Sequence, residues 1–328
     1  MPELNLIEIM TAYKRSCALF AALEMNIFDK LLKQPRETGE LAVDMAADKD
    51  ALECFMYYLR EEGFVYNEAG VWYISESFNA QAVKIKEFEN IIKHEKNIYR
   101  NWITPEIIVS SIQSKPGCRK FDVEGLKPED KEDYCRAMYG KNLNVIAFHI
   151  QRMLRCNSAP VRYLEYGRSS GVMGIVLQKK IAGLSVNLAI DDRDFDFFKQ
   201  NILSAFIHPP DIAQRLCDFE YSGQYDFIYI MNTIHFYDKC ETIKRLCALK
   251  KIMHRDGILC ICDLFSGNQH RFNSSLRIDW ITHGGIYNTN ADSVIDMLGV
   301  ADFTNICHKT LNEISTELIF ASKGRSFI

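Results

Sequence analysis

Residues 163–174 read YLEYGRSSGVMG. The run VRYLEYG is short and apolar, as in a buried strand. Gly167 and Gly171 then let the chain turn tightly before an amphipathic stretch, VMGIVLQKKI. Strand, glycine turn and helix form half of a βαβ unit, and the rhythm continues downstream. LSVNLAIDD is followed by FDFFKQNIL, YDFIYIMN by CETIKRLCALKKIM, and GILCICDLF follows as a further apolar run. Such alternation predicts a Rossmann-like α/β fold with a mostly parallel sheet and helices on its faces. The tail departs from it. ADSVIDMLGVADF has helical spacing, and TNICHKTL and STELIFASK are expected to close the sheet as a terminal antiparallel hairpin.

The first eighty residues have a different pattern. SCALFAALEMNIFDKLLK carries apolar residues at helical spacing, Thr38 is expected to cap GELAVDMA, and Asp50 to cap ALECFMYYLREE. Leu52, Phe55, Met56 and Leu59 line one helix face, and Gly63 is a C-terminal stop. FVYNEAGVWYIS then reads as strand, turn and strand, with the turn at Asn67–Gly70. Helix, helix and hairpin make a winged-helix pattern. Residues 48–62 hold two basic groups, Lys49 and Arg60, against five acidic ones, Asp48, Asp50, Glu53, Glu61 and Glu62. A helix so charged is repelled by phosphates, so the module is expected to pack or dimerise rather than bind nucleic acid. The stretch between is helix-rich, with FENIIKHEKNIYRNW and YCRAMYGKNLNVIAFHIQRML separated by Pro116 and Gly117. The expected domains are 1–95 (all-α/winged helix), 96–159 (helical linker) and 160–328 (Rossmann-like).

Composition agrees with a globular chain of about this size. Of 328 residues, 48% are hydrophobic and 25% charged, and the net charge of −4 exerts no general pull on nucleic acid or anionic membrane. No run reaches the ~18 apolar residues a membrane span needs. The eleven cysteines are scattered in apolar segments without a CxxC pair, so reduced thiols in a cytoplasm are expected, with no metal site. Cys260 and Cys262 are expected on opposite faces of one strand.

Ligands of open α/β sheets bind beyond the carboxyl ends of the strands. Four such ends here are polar or small. The first holds Glu165, Gly167 and Gly171. The second is Asp191–Asp192, where a carboxylate can accept hydrogen bonds from both hydroxyls of a ribose. The third, CDFE, places Asp218 and Phe219 to meet an adenine amino group and ring. The fourth, NTIHFYD, begins at Asn232. An ordinary strand–helix turn would explain the glycines alone, but not all four ends in this order. Glycines at 167, 171 and 174 do not make GxGxxG, and no GK[ST] follows. A cofactor with ribose and adenine but no phosphate fits, which points to S-adenosyl-L-methionine.

At these residues the chain resembles the class I S-adenosylmethionine-dependent small-molecule O-methyltransferases with an N-terminal winged-helix dimerisation domain, the caffeate and natural-product type. The resemblance extends over nearly the whole chain. ALFAALEMNIFDKLL is similar to the family's opening helix pair and YCRAMYGKN to its substrate-side helix. NTIHFYDKCETIKRLCALKKIMHRDGILCICD is similar to its LHDWDDE…LRALxPGGxLLIxD block, and THGGIYNTNADSVIDMLGVADF to its segment leading to AGF. The resemblance implies a homodimer and a general base at His235, with Asp263 as an orienting acid. A neutral imidazole suits proton removal near neutral pH. Met138, Phe148, His149, Trp280 and His283 are candidates for a substrate pocket, with plain packing as the alternative for each.

Two positions depart from the family. Ser169 stands where it has glycine, and Tyr287–Asn288–Thr289 where it has Glu-Arg-Thr. Methyl transfer to a hydroxyl of a small, aromatic or heteroaromatic metabolite is the function expected. The alternatives are N- or C-methylation on the same scaffold, and a non-methylating or inactive relative that keeps the cofactor.

Overall fold

The computed structural model describes residues 6–101, 103–113, 143–154, 161–167, 171–190, 206–213, 225–263, 265, 278, 281–282, 290–311 and 316–324. They fall into two compact units, Met1–Lys96 and Asn97–Ile328.

The first unit opens with α1 (Leu6–Thr11), α2 (Tyr13–Glu24) and α3 (Ile27–Lys33). Asn26, in the left-handed region at φ 55°, splits the apolar run 16–33 into α2 and α3. There follow β1 (Arg36–Glu37), α4 (Thr38–Met45), α5 (Lys49–Glu61), the hairpin β2 (Val65–Glu68) and β3 (Val71–Ile74), and α6 (Glu76–Ala82). The order β1-β3-β2 makes a small antiparallel wing. Its core gathers Ala22, Ile27, Phe28, Leu41, Met56, Leu59 and Trp72, all buried.

Both expected caps are displaced. Thr38 is the first residue of α4 rather than its cap, because the buried Trp72 indole needs an acceptor and donates to the Thr38 hydroxyl at 2.8 Å. The preceding Glu37 N–H instead donates to Glu40 Oε2 at 3.1 Å. Asp48, not Asp50, caps α5, accepting from the Ala51 N–H at 2.8 Å. Gly63 ends α5 as expected, at φ 81°, with the Phe64 N–H closing back on the Leu59 carbonyl at 2.9 Å. The hairpin turn is tighter than expected. Asn67 and Glu68 belong to β2, leaving Ala69 and Gly70, both at positive φ, as the two-residue turn.

A helix α7 (Glu89–Asn101) leads into the second unit, which continues with α8 (Pro105–Gln113) and α9 (Leu143–Leu154). The segment 134–142 of the expected helix 134–154, with the break at Pro116–Gly117, lies outside the described residues. Then come β4 (Arg162–Gly167), α10 (Val172–Gln178), β5 (Ser185–Ile190), β6 (Asp211–Ala213) and β7 (Tyr225–Met231). A 3-10 turn, Ile234–Phe236, precedes α11 (Lys239–Ile252) and β8 (Met253–Asp263). Last are α12 (Ala291–Val300), β9 (Asn305–Leu311) and β10 (Thr316–Ser322).

The seven strands lie in the order β6-β5-β4-β7-β8-β10-β9. The first five pair in parallel, and β10 runs antiparallel between β8 and β9. This is the predicted Rossmann-like sheet with its closing hairpin. One face packs Tyr166, Ile228 and Ile261 against Leu246 and Leu249 of α11 and Val294 and Leu298 of α12. The other packs Tyr163, Phe227, Tyr229 and Leu318 against Ile146 and Ile150 of α9 and Leu177 of α10. Cys260 and Cys262 both belong to this second face. The expectation of opposite faces fails because side chains two apart on a strand point the same way. Burial raises the Cys262 thiol to about 12, so it stays a neutral, oily side chain.

The chain runs outward from β4 to β5 and β6, then returns past β4 to β7. The order therefore reverses between β4 and β7, the place in an open α/β sheet where ligands bind.

Candidate active site

Gly167 and Met231, the last residues of β4 and β7, stand at that reversal. Gly167 has φ 118°, which an L side chain adopts with strain. A Cβ there would also lie 2.1 Å from Thr233 Oγ1. The backbone of β4 thus ends flush against the segment that follows β7, and only glycine permits both the conformation and the approach. Gly171, at φ 110°, leads into α10. Arg168, Ser169 and Ser170 between them lie outside the described residues.

Glu165, on β4, bonds to the start of α10. It is buried to 1% exposure. Its Oε2 accepts from the Gly174 N–H at 2.8 Å and from the Tyr163 hydroxyl at 3.1 Å. The close packing of Gly174 explains the reach. A Cβ at Gly174 would stand 2.9 Å from Val186 Cγ1 and 3.4 Å from Glu165 Oε2. These bonds to Oε2 brace the start of α10. Burial raises its carboxyl from 4.5 to about 7, against the opposing pull of the Gly174 and Gly171 amides and the Tyr163 hydroxyl. A folded-state value above the unfolded one means that the fold holds the proton more tightly. The stability this contributes is fully present below about pH 4.5 and is lost as pH rises through 7. The loss is on the order of 3 kcal/mol. Denaturant midpoints measured from pH 4.5 to 8 should show the decline in the native chain, and Glu165→Gln should flatten it. An equal slope in the variant would assign the decline to other groups.

The segment after β7 carries the candidate base. Asn232 adopts φ 48° and donates its N–H to the Cys262 carbonyl at 3.0 Å, which ties the end of β7 to β8. Thr233 is buried, and its hydroxyl donates to the Met231 carbonyl at 2.6 Å. The 3-10 turn then presents His235, 8% exposed, with Nδ1 at 2.9 Å from Oδ1 of Asp263, the last residue of β8. Asp263 is 1% exposed. A carboxylate here accepts from Nδ1–H, which fixes the tautomer with a lone pair on Nε2. Asp238 follows and caps α11 by accepting from the Glu241 N–H at 2.7 Å, so the turn is held between a strand end and a helix start.

Two of the substrate candidates are described, and both stand on α9. Phe148 is 50% exposed, with Arg152 over its ring and the His149 ring at 5.5 Å. His149 Nδ1 lies 3.1 Å from Lys309 Nζ on β9. The structure gathers these two with Arg152 and Lys309. Asp191, Asp192, Asp218, Phe219, Met138, Trp280 and His283 lie outside the described residues, as do Tyr287–Thr289. β5 ends at Ile190, in register with Gly167, one residue before Asp191 in the chain. Thr233 abuts the end of β4, which the sequence pattern does not disclose. Its importance comes from contact with a glycine 66 positions earlier, and no local pattern announces that.

Residues 7–77 match the family model of the O-methyltransferase dimerisation domain. Solved structures match along nearly the whole chain. An O-methyltransferase family protein from Burkholderia thailandensis superposes with a TM-score of 0.77 at 14% identity, covering 99% of each chain. The mitomycin 7-O-methyltransferase MmcR gives 0.72 at 12% identity and 97% of each chain. CalO1, a methyltransferase of calicheamicin biosynthesis solved with S-adenosylhomocysteine (SAH) bound, gives 0.63 at 15% identity, also covering 97% of each chain. A comparison with curated proteins gave no match. The chain therefore has the fold of the O-methyltransferases that carry an N-terminal dimerisation domain.

Proposed function

We propose that this chain is an S-adenosylmethionine-dependent methyltransferase acting on a hydroxyl of a small, aromatic or heteroaromatic molecule, with His235 as general base. The observation that carries the proposal is the buried His235–Asp263 pair at 2.9 Å, set beside the positive-φ end of β4. The residues present fit the cofactor. Gly167 lets the backbone of β4 end flush against Thr233 without a side chain of its own, and Glu165, Gly167, Gly171, Asn232, Asp191, Asp192, Asp218 and Phe219 are the proposed contacts. When bound, S-adenosyl-L-methionine supplies an electrophilic methyl group. His235 Nε2 accepts the proton of the acceptor hydroxyl as that oxygen becomes nucleophilic, and Asp263 holds the imidazole and balances the charge it gains. The natural-product chemistry of MmcR and CalO1 supports a small acceptor. Isothermal calorimetry with SAH tests the cofactor site. Binding to the native chain and its weakening in Asp191→Ala are expected, and no heat at saturating ligand would refute the site.

The dimerisation domain is proposed to pair two copies of this chain. On α1, Leu6, Ile7, Ile9 and Met10 are 53–72% exposed, an apolar stripe on a six-residue helix. Burying each such side chain contributes roughly 1.5–3 kcal/mol. Light scattering should give twice the chain mass, and the double variant Ile7→Lys, Met10→Lys should shift it toward one chain. A monomeric native protein would contradict the pairing. No described helix is long and apolar enough to cross a membrane. The described cysteines are free thiols, and a reducing, cytoplasmic setting is part of the proposal.

A further inference from the structure

The turn that carries His235 is fastened to the end of β4 on both sides. Thr233, two residues before it, abuts Gly167. Tyr237, two residues after it, lies with its ring under the Arg245 guanidinium, 4.0 Å from Cζ to the ring centroid. Arg245 stands on α11 and reaches across to donate through Nη1 to the hydroxyl of Tyr166, the neighbour of Gly167 in β4. Its Nε faces Glu241 Oε1 at 2.9 Å as an ion pair rather than an aligned hydrogen bond. Tyr166 is buried, and that burial pushes its hydroxyl well above the usual tyrosine range, so it remains neutral beside the cation.

We propose that Arg245 is a positioning residue for the candidate base, locking the turn around His235 to the end of β4, where the cofactor is proposed to bind. A surface pair four residues apart on a helix would account for Glu241 alone. It leaves unexplained why the same guanidinium covers a ring from the loop ahead of the helix and bonds a buried hydroxyl on another strand. Those contacts join the two segments whose relative placement decides whether base and methyl donor meet. The Arg fork makes this possible, because its planar face stacks on Tyr237 while its edge donates. Lysine can do either, but not both.

The inference rests on His235 being the base, and its test separates the two claims. The native chain, Arg245→Met, Arg245→Lys and Tyr166→Phe are labelled with 15N-histidine, and His235 is assigned by its loss in His235→Gln. In the native chain the two ring nitrogens should resonate far apart, with Nδ1 protonated and Nε2 bare. In Arg245→Met and in Tyr166→Phe, which removes only a hydroxyl, they should converge as the ring samples both tautomers. Arg245→Lys should fall between. Methyl transfer should fall in kcat by about ten- to a hundredfold in Arg245→Met, with little change in KM for the methyl donor. Unchanged His235 resonances in both Arg245→Met and Tyr166→Phe would overturn the role of Arg245, even with SAH bound. The ring signals need no ligand. Failure of the native chain to bind SAH would therefore refute the cofactor site, while the resonances would still decide the role of Arg245.

Discussion

His235→Ala should lower methyl transfer by about 10²- to 10⁴-fold, the usual contribution of a positioned general base, while SAH binds as before. SAH release measured against a panel of phenols and hydroxylated heteroaromatics reads the first effect, and calorimetry reads the second. The separation follows from geometry. His235 stands on the turn after β7, whereas the proposed cofactor contact is the backbone at the end of β4. Asp263→Asn should give a smaller loss, since an amide keeps the volume but no longer compels Nδ1 to carry the proton. Undiminished turnover in His235→Ala would move the base elsewhere. Loss of SAH binding in that variant would mean that the turn itself belongs to the cofactor site.

Gly167→Ala should abolish detectable SAH binding and destabilise the second unit. Two costs add. At φ 118° a Cβ is strained by about 1–3 kcal/mol. The same atom would stand 2.1 Å from Thr233 Oγ1 and 3.0 Å from its Cβ, an overlap that backbone or side chain must relieve for roughly another 1–3 kcal/mol. The double variant Gly167→Ala, Thr233→Ala distinguishes them. It removes Oγ1 and Cγ2 and should recover the steric part but not the conformational part. If the second substitution recovers nothing, the contact with Thr233 does not limit this strand end. If Gly167→Ala binds SAH normally, the cofactor site lies elsewhere.

Much of the molecule was legible as pattern. Alternation of apolar runs with amphipathic stretches from 160 onward became β4, β5, β7 and β8 with α10 and α11, because a buried strand and a half-buried helix have different periods. The terminal hairpin showed itself in the same way. Short polar signals were less reliable. Thr38 and Asp50 both have the chemistry of a cap, yet Trp72 claimed the first and Asp48 preceded the second. Which of several competent residues serves is settled by what lies opposite in space. The split of residues 16–33 at Asn26 was likewise hidden by apolar spacing that continues through the break.

At the site the same division holds. Residue type and spacing were enough to mark the glycine that ends β4 and the histidine that follows β7. These are local properties, so they can be read along the chain. The direction in which each side chain faces is not local, and folding in three dimensions set it. Packing turned Glu165 inward to brace the glycine turn, brought Asp263 to His235 from 28 positions away, and set Thr233 against Gly167. It also drew Tyr166, Tyr237 and Arg245 into one contact from three separate elements. Such pairings arise from sheet register and helix packing, which bring distant residues within hydrogen-bond reach and leave no periodic trace in the chain.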